Sequence, residues 1–277
     1  MKNMRKIKRQ TTRFDTRRVR RMGRMRRTHW IAALAFAAPV GAYAQAQATV
    51  KPDGQFRYAI GAGASYSSGN TDASSINIVG DAVRQTAISK WQISGKALRG
   101  ESNGVKSAEN ALLTAQYDRD FTPEWFSLWK GDALRDKFAN IEVQASLFGG
   151  VGRHMVKRDD LTFDLSAGLG YTYDKYVESA DVAGGFRTSY GRAEALFAEE
   201  STHKFTPTTT FHQKLSLFPA LRAGGGYRGV FDSGLSVAMT PTLSLTAGFN
   251  YRYNSEPGEG LKPNDALFVT GIVVKIE

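Results

Sequence analysis

The sequence predicts an all-β protein: an antiparallel transmembrane β-barrel of about 12 strands preceded by a cleavable signal peptide. Three observations predict it. After residue 50, apolar and polar side chains alternate in segment after segment, over about ten residues at a time. Breaks in that alternation fall near residues 87, 123, 159, 207 and 241, so the intervals to residue 277 are 36, 36, 48, 34 and 36. Each interval holds one hairpin of two long strands, and a further hairpin begins near residue 56. Finally, the chain opens on a basic stretch followed by a short apolar run.

The leader comes first. Trp30 to Ala38 is uninterrupted apolar sequence, Pro39 follows, and Ala42-Tyr43-Ala44 stands before Gln45 as a small-x-small cleavage site. The run is too short to span a bilayer as a helix, which takes roughly 20 apolar residues. Residues 1–44 therefore read as a signal peptide, 45–55 as a short periplasmic lead-in, and 56–277 as the barrel. The basic segment 1–29 is long for a signal. A start at Met22 or Met25 leaves an ordinary one, and a genuine extended leader is the alternative.

Locating the charge removes one class of function. Lysine and arginine total 37 against 26 acids, for a net +11. Thirteen of those bases and a single acid, Asp15, lie in residues 1–44, which leaves 24 bases against 25 acids in the exported part. A barrel of that balance has no electrostatic footprint for nucleic acid. The absence of cysteine excludes a disulfide scaffold, a cysteine zinc site and a thiol nucleophile.

The strands follow in order. Phe56–Tyr66, Ile141–Val151, Leu161–Tyr173 and Leu243–Tyr253 each put apolar residues on one face and small or polar ones on the other. A soluble sandwich also alternates, but three features favour a membrane wall. These segments are long, and tilted membrane strands need roughly 9–11 residues. Tyr66, Tyr171, Tyr173, Tyr251 and Tyr253 gather at segment ends, where their amphipathic rings suit an interface. Asp81, Lys96, Asp118, Asp164 and Lys214 put charge mid-strand on the polar face, which a dry core would reject. The polar face should thus line a lumen, with Arg57, Lys96, Asp118, Glu142, Asp164, Lys214 and Arg252 pointing into it. The inward glycines Gly61, Gly63, Gly150, Gly152, Gly168, Gly170 and Gly248 would leave room for charges from the opposite wall; a slot for a small solute is the alternative.

Thr122-Pro123, Thr206-Pro207 and Thr240-Pro241, with Arg158-Asp159-Asp160 and the weaker Thr86-Ala87, read as short turns at one end. Glu101–Ser107, Lys175–Ser189 and Ser255–Asn264 are loop-like and belong to the other end. Short turns and both chain ends are expected to face the periplasm. Alternation does not fix the phase of Trp125–Arg135 or of Leu267–Ile276, and the chain ends on Lys275-Ile276-Glu277 rather than on an aromatic residue.

Gly69-Asn70-Thr71-Asp72, Gly168-Leu169-Gly170-Tyr171 and Glu200-Ser201-Thr202-His203-Lys204-Phe205, in that order, resemble the YdiY-like family of salt-induced outer-membrane proteins. The resemblance covers roughly 56–277 and implies an outer-membrane barrel of uncharacterised function, with no catalytic residues to carry over.

One constellation suggests lipid chemistry. Ser201 and His203 share a face, His212 lies across the Thr206-Pro207 turn, and Glu199 is close enough to orient a ring. The plainer reading is a solvated turn in which Glu199, Glu200, His203 and Lys204 face water. No nucleophile elbow, His-Glu-x-x-His spacing or phosphate loop occurs. The expectation is therefore a structural or envelope-stress barrel without enzymatic turnover, catalytic residues, cofactor or metal. A narrow channel for small solutes or ions and a lipid hydrolase are the alternatives. Its expected partners are outer-membrane lipid and lipopolysaccharide, together with the export and barrel-assembly machinery.

Overall fold

Alternation at period two leaves each strand one apolar and one polar face, and a sheet of such strands has no exposed edge only when it closes on itself. The structure, a computed structural model describing residues 48, 50–67, 73–222, 225–257 and 262–276, is that closed sheet. The expected signal peptide and Gly69-Asn70-Thr71-Asp72 lie outside the described residues. The strands are β1 (Phe56–Ser67), β2 (Ala73–Gln85), β3 (Ser89–Ser102), β4 (Val105–Asp120), β5 (Trp125–Asp136) and β6 (Ile141–Lys157). They continue as β7 (Leu161–Val182), β8 (Gly185–Lys204), β9 (Thr209–Pro219), β10 (Tyr227–Ala238), β11 (Leu243–Asn254) and β12 (Asn264–Ile276). Each pairs antiparallel with its neighbours in sequence, and β1 with β12 closes the barrel from Tyr58↔Ile276 to Ala62↔Ile272.

Five of the connections are the short turns read from sequence, and four share one device. The hydroxyls of Thr86, Thr122, Thr206 and Thr240 each accept the backbone N–H three residues on, from Ser89, Trp125, Thr209 and Leu243, at 2.9–3.0 Å. Both ends of the barrel chain lie at this turn end. At the opposite, loop end the structure corrects two expectations. Glu101–Ser107 is not a loop: β3 and β4 meet in the two-residue turn Asn103-Gly104, with φ of 50° and 73°. Lys175–Ser189 is likewise mostly strand, reversed at Ala183-Gly184 with φ of 56° and 76°. Two successive positive φ values give the turn whose twist matches a hairpin, and glycine makes the second one cheap. Above Tyr176 on one side and Glu194 on the other, this hairpin outruns its neighbours β6 and β9 and rises as a two-stranded arm.

The outer wall is apolar. Ile60, Ile78, Leu113, Leu147, Leu169, Phe197, Leu245 and Ile272 are all exposed there, while the residues beside them in sequence turn inward. Aromatic rings collect toward both ends. Trp91 and Tyr117 (4.6 Å between centroids) and Phe205 with Phe211 lie toward the turns; Tyr171, Tyr173 and the stacked pair Tyr227–Tyr253 (5.3 Å) lie toward the loops. An apolar band between two aromatic girdles is the wall of a transmembrane barrel. Trp125–Arg135, whose phase was not readable, forms most of β5 with Phe126 and Leu128 inward and Trp125 and Trp129 outward. In β12 the phase is set by Val273, buried inside, against Ile272, Val274 and Ile276 outside.

The interior is not wholly polar. Phe126, Leu128, Phe148, Leu196 and Phe218 form a buried cluster inside the barrel. Two inward glycines make room for it: a Cβ on Gly152 or on Gly170 would lie 2.2 Å from the ring of Phe126 or Phe148. At the turn end the lead-in folds back into the barrel. Ala48 is buried against Ala59, Val83 and Val273, and its N–H donates to Asp81 Oδ2 at 3.1 Å. Gly54 ties the segment to β2, through its N–H to Gln85 O and its carbonyl to Arg84 Nε, both at 2.7 Å.

Candidate functional site

The lumen is where this fold concentrates its chemistry. Inward charges are buried on a wall whose other face meets hydrocarbon, so each needs a partner within the barrel. Many find one on the same or a nearby strand, as Lys130 does with Asp132, and three ion pairs cross the lumen. Lys96 on β3 reaches Asp232 on β10 at 3.0 Å, and Asn250 also donates to that carboxylate, at 2.7 Å. Lys214 on β9 binds Glu200 on the neighbouring strand at 2.7 Å and reaches Gln116 Oε1 on β4 at 3.0 Å. Lys90 on β3 approaches Glu200 on β8 at 3.8 Å, and Arg252 on β11 lies 4.0 Å from Asp136 on β5. Strands five or six places apart in the ring are joined in this way.

Two further clusters sit nearer the ends. Toward the loops, Arg228 donates to Glu194 Oε2 at 2.7 Å and to Gln144 Oε1 at 2.8 Å. Arg192 binds Glu194 at 2.9 Å and also Asp174, and the Thr172 hydroxyl completes the Glu194 shell. Toward the turns, His154 is held between Asp164 (Nδ1 to Oδ1, 2.8 Å) and Asp120 (Nε2 to Oδ1, 3.2 Å), with the Phe126 ring 4.7 Å from it. At the mouth itself the Arg57 guanidinium grips both oxygens of Asp53 and holds that carboxyl well below the usual carboxylate range.

Between the bridges a cavity of about 590 Å³ runs up to the loop end, lined among others by Lys96, Asn110, Lys214, Phe138 and Lys262. Its charged lining carries both signs, with Asp132, Asp136, Glu200, Asp232 and Asp265 facing Lys96, Lys130, Lys214, Arg228 and Arg252.

Six of the seven residues expected in the lumen are there: Arg57, Lys96, Asp118, Asp164, Lys214 and Arg252. Glu142 is not. A register shift between Ile141 and Val143 takes it out of phase, and it pairs with exposed Lys175 at 2.9 Å outside the barrel. The expected solvated turn at 199–204 is also corrected. That stretch is the end of β8, and Glu200 points inward to Lys214. The possible hydrolase constellation is divided by the wall. Glu199, Ser201 and His203 lie on the outer side, where His203 stacks against Phe205 and Phe211, while His212 points inward and bonds Thr202 at 3.1 Å.

Sequence reasoning missed Lys130, Asp132, Arg192, Glu194, Arg228 and Asp232. In β10, Gly229, Ser233 and Gly234 blur the alternation, so Arg228 and Asp232 had no visible phase. Lys130 and Asp132 sit in β5, apolar on both faces over its first half. The spacing of Arg192 and Glu194, two apart and so on one face of any strand, was the signal available.

The fold and its bridged interior define a transmembrane β-barrel with an ion-paired lumen. The chain belongs to the family described as "Protein of unknown function, DUF481", which matches residues 60–276. It is 25% identical over 192 residues to "Uncharacterized protein YdiY" of Escherichia coli (strain K12), covering 69% of this chain and 71% of that one. Among solved structures it is similar to the NanC porin (14% identity, TM-score 0.42, 79% of this chain and 97% of that one). It is also similar to the translocator domain of the autotransporter NalP from Neisseria meningitidis (12%, TM-score 0.42, 79% and 86%). A third is the Pseudomonas putida toluene transporter TodX (9%, TM-score 0.36, 85% and 96%).

Proposed function

We propose that this chain is a structural barrel of the outer membrane, exported behind the 1–44 leader, that serves the envelope without conducting solute and without enzymatic turnover. The observation that carries the reading is the set of bridges across the lumen, above all Lys96–Asp232 at 3.0 Å. A conducting pore keeps its wall charges apart and hydrated. Here Lys96, Lys90 and Arg252 reach carboxylates on the opposite wall, and the apolar cluster around Phe148 and the inserted lead-in at Ala48 add to the obstruction. Placing the Thr-Pro turns in the periplasm puts the β7–β8 arm outside the cell, in contact with lipopolysaccharide.

A liposome-swelling assay with sugars of increasing size tests this. We expect rates equal to those of protein-free vesicles. Swelling with the smallest sugars would instead favour a narrow solute channel, a reading supported by the cavity of about 590 Å³ that reaches the loop end. The separation of Ser201 and His203 from His212 by the barrel wall counts against a lipid hydrolase. Fatty-acid release from phospholipid that is lost in His203→Ala would restore that reading.

A further inference from the structure

One place on the outer wall breaks its own rule. Glu199 points outward on β8, five residues in from Lys204, with Leu165 and Leu215 directly beside it on β7 and β9. Its Oε1 accepts from Gln213 Nε2 at 3.1 Å. Gln213 in turn stands opposite Ser201 on one side and Ser233 on the other. A carboxylate, an amide and the Ser233 hydroxyl thus form one patch across three strands, over the buried Ser201 and framed by the exposed apolar residues Phe197, Leu165, Leu215, Leu235 and Phe249. Four other outward acids, all nearer a strand end or in a turn, are matched by a cation: Glu101 by Arg99, Glu109 by Lys106, Glu124 by Arg153 and Glu142 by Lys175. Among the described residues Glu199 meets no cation. Against lipid such a group is expensive, and polar groups at that depth face protein rather than hydrocarbon.

We propose that the β8–β10 wall is the contact surface for a second copy of this chain. The chemistry of the patch is self-complementary. The Gln213 amide has two N–H groups, and only one is used by Glu199 of its own chain. Across a twofold axis the other N–H meets the free carboxylate oxygen of the partner's Glu199, and the reverse contact forms at the same time. The result is a closed ring of two carboxylates and two amides, with the Ser233 hydroxyls as further donors. A closed barrel has no strand edge to share, so the contact is side chain against side chain, with the apolar frame packing around the polar ring. The inference rests on the outer wall facing lipid, not on whether the lumen conducts.

The chain has no cysteine, so a single introduced thiol reports its own neighbourhood. Leu215→Cys beside the patch and Ile78→Cys on β2, both exposed outward, are treated with a short bis-maleimide in native outer membranes and after refolding into lipid vesicles. The expected result is a crosslinked dimer for Leu215→Cys and monomer for Ile78→Cys. Adding Glu199→Leu and Gln213→Leu should lower the dimer yield roughly tenfold, the effect of losing one or two polar contacts in hydrocarbon. These changes make the wall more lipid-like, so folding is preserved; heat-modifiable migration on gels checks it. Monomer from Leu215→Cys, equal dimer from both sites, or a crosslink to a different protein overturns the proposal. The vesicle arm remains readable if the protein is absent from the outer-membrane fraction, which would count against the location alone.

Discussion

Gly152 and Phe126 show how closely single residues of this lumen depend on one another. A methyl on Gly152 would lie 2.2 Å from the Phe126 ring, which itself packs on His154. Gly152→Ala should therefore destabilise the barrel by about 1–3 kcal/mol, the usual effect of overpacking. Phe126→Leu in the same chain should recover much of that loss, because the two residues compete for one space. Urea unfolding from lipid vesicles measures both; equal and additive losses would show that ring and glycine do not meet. The sequence placed Gly152 and Gly170 inward but assigned the space beside them to charges. Phenylalanine fills it instead, because the facing residue lies on a neighbouring strand whose register the sequence does not state. Glu142 was misplaced for a related reason, since a β-bulge leaves no mark in an alternating pattern and moves one side chain to the other face.

At the scale of the strand, the alternation makes its own test. Ile93 faces outward at 38% exposure, while Ser94 lines the lumen cavity beside it. Ile93→Arg puts a cation against hydrocarbon and should cost roughly 2–4 kcal/mol near the middle of the bilayer. Ser94→Arg should be far milder, since the cavity accepts it and Asp81 stands directly opposite. Refolding yield into vesicles measures the difference, and equal damage would contradict the assigned faces. The turns were legible to within a residue or two, since proline and threonine carry their chemistry locally. The Asn103-Gly104 and Ala183-Gly184 hairpins were not, because charged and small residues crowd Glu101–Ser107 and Lys175–Ser189 and leave only a few buried positions, such as Ala180 and Val182, to mark a face. An epitope inserted after Gly184 should be detected on intact cells, and one after Pro207 only after permeabilisation. The opposite labelling would invert the assigned orientation.

For the whole molecule, strand number, turn spacing and the identity of the lipid-facing wall were all present in the sequence, because each depends on residues a few positions apart. The bridges were not, since Lys96 and Asp232 are 136 residues apart and meet only once the sheet has closed. That closure is what turns a polar strand face into a bridged lumen, and the proposed function stands on it. Planar-bilayer recording from refolded protein tests it most directly. We expect the unaltered chain, expressed without residues 1–44, to give no reproducible conductance steps. A chain lacking residues 45–52 and carrying Lys96→Ala and Asp232→Ala should give steps, because both the inserted lead-in and the mid-lumen bridge are then gone. Regular steps from the native chain, unchanged by these alterations, would contradict the closed lumen.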